Sequence, residues 1–314
     1  MLWHGLSFRL ACLCLWLGCG LPLWAHAGQV PVLIVSAERN AAFAEAAEVF
    51  IDELERGGVP RGNVQYLTLA EARNSAARGG QLVLALGVEA TTEMARNETQ
   101  APVLSAFVPS QSFDLIVRSN PRKGVSPLSA IYLNQPVGRQ LDLIQLALPQ
   151  RAQVGVLLGS YSIAQVPLLE DERRKRSMGL TQVQIDGNES MFSKLQTLLD
   201  GSQVLLALPD PQVYNSRSLQ NILLSTLRAG VPVVSFSPAY VKAGALVAIY
   251  STPAQVGLQS AQLARAVLQG KELAPPQYPR EFWIDVNASL ARSMNLDIDA
   301  QTLTERLKRL ELRK

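Results

Sequence analysis

The chain has 314 residues, with 29 Lys and Arg against 26 Asp and Glu, and a net charge of +3. So small an excess over this length makes no basic field of the kind nucleic acid selects, and nucleic acid is excluded as a partner. Its three Cys and two His all precede residue 28, which narrows the available chemistry further.

The first segment reads as a secretory leader. Met1 to Arg9 carries one positive side chain, an apolar run follows from Leu10 to Trp24, and Ala25-His26-Ala27 supplies a small-residue cleavage site. The apolar run falls short of the ~20 residues needed to cross a bilayer and is broken by Gly18, Gly20 and Pro22, so cleavage after Ala27 is expected rather than a membrane anchor. Lipidation at Cys19 ranks behind it, because Trp16 stands where a lipobox wants an aliphatic residue. With Cys12, Cys14, Cys19, His4 and His26 removed, disulfides, Ser-His-Asp and Cys-His catalysis, and zinc sites built on His or Cys are all excluded. No catalysis and no cofactor are expected, and the product, roughly 290 residues long, suits two domains.

From Val30 onward, short apolar runs alternate with amphipathic stretches. Strands are predicted at 31–35, 64–69, 81–86, 102–108, 128–133, 154–158, 182–185, 204–208, 231–236, 246–250 and 282–286. Helices are predicted after the cap Asn40 up to Gly57, then at 89–96, 137–148, 163–177, 190–199, 216–229, 253–268, 288–294 and 300–312. A polar connector at 118–127 holds the basic pair Arg122-Lys123, and 97–99 and 188–190 fit the glycosylation pattern. The run 170–176 mixes charge signs on one helix, the mark of a solvated face. Near-continuous apolar strands alternating with helices mean parallel sheets covered on both faces, and eleven such strands are too many for one ordinary open sheet. The expectation is an α/β protein of two doubly wound parallel-sheet lobes joined by a hinge. A (β/α)₈ barrel is the alternative, with the long connector against it.

The second half carries a likeness. Leu205-Leu-Ala-Leu-Pro-Asp-Pro-Gln-Val213, Gly230-Val-Pro-Val-Val-Ser-Phe-Ser237, Tyr240-Val-Lys-Ala-Gly-Ala245 and Phe282-Trp-Ile-Asp-Val-Asn287 follow in that order. Together with Leu146-Ala-Leu-Pro149, this resembles the ABC-transporter substrate-binding proteins of type I periplasmic binding fold, whose better-known members take aromatic amino acids. The resemblance implies residues 28–130 plus 248–273 as one lobe, 131–247 plus 280–298 as the other, 299–314 as a charged terminal helix, and three crossovers. It implies a monomeric periplasmic receptor that takes a small molecule in the interlobe cleft and docks on an ABC permease in the inner membrane. The first crossover, Leu128 to Asn134, lacks the Asn-x-Thr-Gly-Val turn common in the family, and the loop Phe107-Val108-Pro109 is also atypical. These departures motivate an alternative, in which the fold serves as a periplasmic interaction or sensor-accessory protein.

Candidate ligand residues sit where strands end. Asp210, flanked by two prolines, has a carboxylate that can receive a ligand ammonium, although a turn aspartate capping a helix is the plainer reading. Gly87 and Thr91 open a helix whose N-terminus can hold a carboxylate, while Glu89 in the same turn reads as a helix-start acid. Phe107, Tyr132, Tyr161 and Phe236 can supply aromatic walls. Ser160 and Ser237 are loop companions, Asn134 lies at the crossover, and Tyr240 and Lys242 precede Gly244.

Overall fold

A computed structural model describes residues 32–74, 80–96, 100–121, 126–185 and 191–313. The segment expected as a leader, with its cysteines and histidines, the basic pair 122–123, and the tripeptides 97–99 and 188–190 lie outside the described residues.

The first lobe runs β1 (Val32–Ser36), α1 (Ala41–Arg56), β2 (Val64–Thr68), α2 (Leu69–Asn74), β3 (Leu82–Leu86), α3 (Gly87–Arg96), β4 (Val103–Val108), α4 (Ser110–Ser119) and β5 (Leu128–Tyr132). Its five parallel strands stand in the order β2-β1-β3-β4-β5. The second lobe runs α5 (Val137–Ala147), β6 (Gln153–Leu158), α6 (Val166–Lys175), β7 (Gly179–Gln184), α7 (Met191–Asp200), β8 (Val204–Leu206), α8 (Leu219–Arg228), β9 (Val233–Ser235), α9 (Pro238–Ala243) and β10 (Val247–Tyr250). After α10 (Pro253–Leu268) come β11 (Trp283–Val286), α11 (Ala288–Ser293) and α12 (Ala300–Glu311). The second sheet is ordered β11-β10-β9-β8-β6-β7, so its parallel part repeats the first lobe's winding.

Both faces of each sheet are covered, which is why central strands such as β3 and β8 are apolar at every position, while the edge strands β2 and β7 carry Gln and Thr. In β1, Val32 and Ile34 pack with Phe50 and Leu54 of α1 and Val256 and Leu263 of α10. Leu33 and Val35 turn to the opposite face and meet Ala90 and Met94 of α3. In the second lobe Val204 and Leu206 of β8 face the cluster holding Leu141, Leu303 and Leu307. Leu205 and Ala207 face Leu195 and Ile222. Helix starts are fixed locally: Asn40 Oδ1 accepts the Phe43 amide at 2.9 Å, and Thr252 and Gln255 form a reciprocal capping box at α10.

Three findings shift the expected boundaries. Ile131 and Tyr132 belong to β5 of the first sheet, and residues 248–250 belong to β10 of the second, paired with β9 and β11. The chain therefore crosses at 133–136 and at 251–252. The third difference is β11, which pairs antiparallel with β10. A chain that leaves the second lobe at the tip of β10 and comes back there has to run down the sheet in the reverse direction. On its way it touches the first sheet's edge, where Gln277 exchanges backbone bonds with Ala130 and Tyr132.

The three crossovers lie side by side and are bonded to one another. Gln135 Nε2 donates to Ser251 Oγ at 3.0 Å, and Ser251 Oγ donates to the Glu281 carbonyl at 2.6 Å. Arg139, 9% exposed, donates to Gln135 Oε1 at 2.7 Å, the Pro279 carbonyl at 2.9 Å and Glu311 Oε1 at 2.5 Å, with its guanidinium 4.7 Å from the centre of the Phe282 ring.

Candidate functional site

In a sheet wound this way, ligands collect outside the carboxyl ends of the strands, where the winding reverses. In the second lobe that point lies between β6 and β8. The β6 tip leads into Gly159-Ser160-Tyr161-Ser162 and the β8 tip into Pro209-Asp210. Asp210, 2% exposed, joins them. Its Oδ2 accepts the amides of Gly159 (3.1 Å), Tyr161 (3.2 Å) and Ser162 (2.8 Å) and the Ser162 hydroxyl (2.8 Å), and its Oδ1 accepts the Gln212 amide (2.9 Å). The remaining amide, that of Ser160, donates to Gln212 Oε1 at 2.9 Å. A turn of four backbone donors that would suit an anionic ligand is thus filled from within the chain. Gly159 has to be glycine, since a Cβ there would lie 2.7 Å from both Asp210 oxygens.

Beside this turn stands an aromatic wall. Phe236 follows β9, Tyr240 lies on α9 and Tyr214 lies four residues past Asp210. The ring centroids are 5.0 Å apart for Phe236–Tyr240, 6.2 Å for Tyr214–Phe236 and 6.4 Å for Tyr214–Tyr240, within range of favourable ring–ring contact. The Tyr240 hydroxyl donates to the Tyr214 carbonyl at 3.3 Å. Tyr214 is 6% exposed and its hydroxyl has no hydrogen-bond partner among the described residues. Burial, with lesser contributions from Tyr240 and Asp210, pushes its phenol well above the ordinary tyrosine range.

Across from the wall, the first lobe presents the N-terminal turns of α3 and α4. Val88, Glu89, Pro109, Gln111 and Ser112 form that side of an interlobe cleft of about 420 Å³. Tyr161, Pro209, Pro211 and the aromatic wall form the other side, with Asp210 at its floor. A larger hollow of about 760 Å³ lies on the second lobe between α7 and α8 and shares Pro211 with the cleft. The cleft takes precedence because the strand tips of both sheets converge on it.

Of the residues expected from sequence, Asp210, Tyr161, Phe236 and Tyr240 line the cleft. Ser160 is exposed on the same turn, tied by its amide. Gly87 opens α3 at φ 88° with the Phe43 ring beneath it, a conformation that disfavours a side chain. Phe107 sits one strand over at φ 58°, its ring 5.3 Å from Phe43. A bulky residue held in the left-handed region marks a strained strand tip. The others are engaged elsewhere. Thr91 is fully buried and its hydroxyl donates to the Gly87 carbonyl inside α3. Asn134 caps α4, accepting the Ser110 amide at 2.8 Å. Ser237 caps α9, and Tyr132 packs between Phe113 and Tyr278 at the hinge side. Sequence reasoning missed Tyr214 and the α4 turn Pro109 to Ser112. A proline before Ser-Gln-Ser was the available signal for that helix start.

Residues 66–306 match the family model described as ABC transporter substrate binding protein. No curated protein matches the sequence. Among solved structures, the chain is similar to a conserved domain protein from Vibrio cholerae O1 biovar El Tor, with 19% identity, TM-score 0.62, and 88% of this chain and 98% of that one covered. It is similar to an ABC domain in complex with L-Trp from Streptococcus pneumoniae, with 15% identity, TM-score 0.63, and 88% and 98% covered. It also resembles a ligand-free, open substrate-binding protein with adhesive properties from Clostridium difficile, with 16% identity, TM-score 0.68, and 86% and 96% covered. At these identities the likeness carries the two-lobed fold. The family match runs from β2 of the first lobe to α12 packed on the second, and on that ground the chain belongs to the ABC transporter substrate-binding protein family.

Proposed function

We propose that the chain is the solute receptor of an ABC importer, taking a small, partly apolar, amino-acid-like or related metabolite between its lobes and delivering it, as a monomer, to an inner-membrane permease. The observation that carries this reading is the aromatic-walled cleft at the strand tips of both sheets. In this reading the leader is cleaved after Ala27 and the receptor works in the periplasm without chemistry of its own. Asp210 acts as the organiser of the 159–162 turn, and the ligand meets Tyr161, Phe236, Tyr214 and Tyr240. Lobe closure presents a surface that differs between empty and loaded forms, as a permease requires. The alternative of an interaction protein is weakened because Phe107 and Tyr132 pack against Phe43 and Phe113 rather than plugging the cleft.

The test is titration calorimetry against a metabolite panel combined with small-angle scattering. A one-to-one complex with a smaller radius of gyration, lost in Phe236→Ala, supports the reading. One-to-one binding with an unchanged radius, or binding indifferent to Phe236, overturns it.

A further inference from the structure

We infer that the cleft selects a cationic amine with a flat apolar body and rejects carboxylates, an inference that rests on the receptor reading and narrows its ligand. The backbone donors best placed for an anion, those of residues 159–162, are already bonded to Asp210 and Gln212. At the two helix N-termini facing the cleft, Asn134 Oδ1 takes the first amide of α4, and Glu89 stands in the first turn of α3, where its charge opposes the entry of an anion.

Among the described residues, no Lys or Arg lines the cleft, while two acids do. Asp210 is buried and bonded only to neutral donors, so its charge is not cancelled by a partner cation. Glu89 is exposed at the opposite wall and makes no hydrogen bond or ion pair among the described residues. A cleft of one charge sign with low-dielectric walls concentrates counter-ions. The aromatic wall adds a face that attracts cations, worth more as water is excluded on closure. The buried Tyr214 hydroxyl, without a partner among the described residues, is able to accept from an N–H that enters.

The geometry therefore assigns Glu89 as the counter-ion, the ring faces of Tyr161, Phe236 and Tyr240 as the bed for the apolar body, and Tyr214 as the acceptor. An amino-acid zwitterion would bring its carboxylate into a cleft with no free counter-charge.

A matched set of probes tests this by titration calorimetry on the leader-free protein: 2-phenylethylamine, 2-phenylethanol, 3-phenylpropanoate and L-phenylalanine. The expected result is that the amine binds at least tenfold tighter than the other three. Glu89→Gln is then expected to cost the amine about tenfold while leaving the alcohol unchanged, and Tyr214→Phe to weaken the amine several-fold. The amine's affinity is expected to fall with salt, since Glu89 is exposed. Equal or tighter binding of the propanoate or of phenylalanine, no amine binding, or an amine indifferent to Glu89→Gln overturns the inference. If those anions bind one-to-one and Phe236→Ala abolishes the binding, the receptor reading survives and only the cation assignment falls. If the amine binds as described without compaction in scattering, the cation assignment stands and the transport reading falls.

Discussion

The amide and the hydroxyl of Ser162 both donate to the same oxygen of Asp210, each at 2.8 Å. The carboxylate is therefore a fastener between two strand tips. Replacing it with alanine removes the acceptor of four amides, those of Gly159, Tyr161, Ser162 and Gln212, and of the Ser162 hydroxyl, at a cost of about 3 kcal/mol or more. Asp210→Asn keeps one carbonyl oxygen for the donors on Oδ2, but it loses charge assistance and sets an NH2 donor against the Gln212 amide, about 1–2 kcal/mol in all. Urea denaturation is expected to rank wild type above Asp210→Asn and Asp210→Ala lowest. Equal stabilities for all three would remove the fastener role.

Phe107 stands at φ 58°, where a side chain costs about 1–2 kcal/mol that glycine does not incur. Both Phe107→Ala and Phe107→Gly lose the ring contact with Phe43. The glycine variant is nevertheless expected to be the more stable of the two by about 1 kcal/mol, the reverse of the usual order in a strand. Paired thermal melts read this directly, and an alanine variant at or above the glycine one contradicts it.

Burial, with smaller contributions from Asp114 and Tyr278, raises the Tyr132 phenol from 10.0 to about 12. A folded value above the unfolded one means the neutral phenol is the favoured form. Its contribution to stability is fully present below pH 10 and is lost as pH rises toward 12. Alkaline titration of tyrosinate absorbance is expected to show a late transition near pH 12 that is missing in Tyr132→Phe.

Arg139 ties the first crossover to the third through Gln135 and the Pro279 carbonyl, holds Glu311 of α12, and reaches the second crossover only through the Gln135–Ser251 bond. Arg139→Met leaves Gln135 and the Pro279 carbonyl without their donor and Glu311 without its charge partner. Glu311 keeps 30% side-chain exposure, so the expected loss is about 2–3 kcal/mol rather than the larger cost of a fully buried pair. Glu311→Gln is expected to cost about 1 kcal/mol or less. Guanidinium denaturation of the two variants checks both size and order.

The strands were legible in the sequence because a parallel strand covered on both faces is apolar at every position, as in Leu82 to Leu86 and Val154 to Leu158. The helices α2, α4 and α9 were not. Two are six residues long, and α4 shows only Phe113 and Ile116 as a buried apolar pair. Tyr161, Phe236 and Asp210 were visible as strand-tip residues. The work Asp210 does was hidden, because its partners lie 48 to 51 residues earlier in the chain. Thr91, Asn134 and Ser237 look alike whether they cap a helix or meet a ligand, and only the fold shows their oxygens already engaged.

A single tether between two bodies leaves them free to spin, and two leave them free to shear. Here three run abreast and are stitched to each other through Gln135, Ser251 and Arg139. Such a ribbon resists torsion and sliding and yields along one direction, so the lobes fold toward each other like facing pages. In the proposed receptor, each closure would bring the same ring faces over the same helix ends, so that one bending motion would reproduce the geometry that meets the ligand.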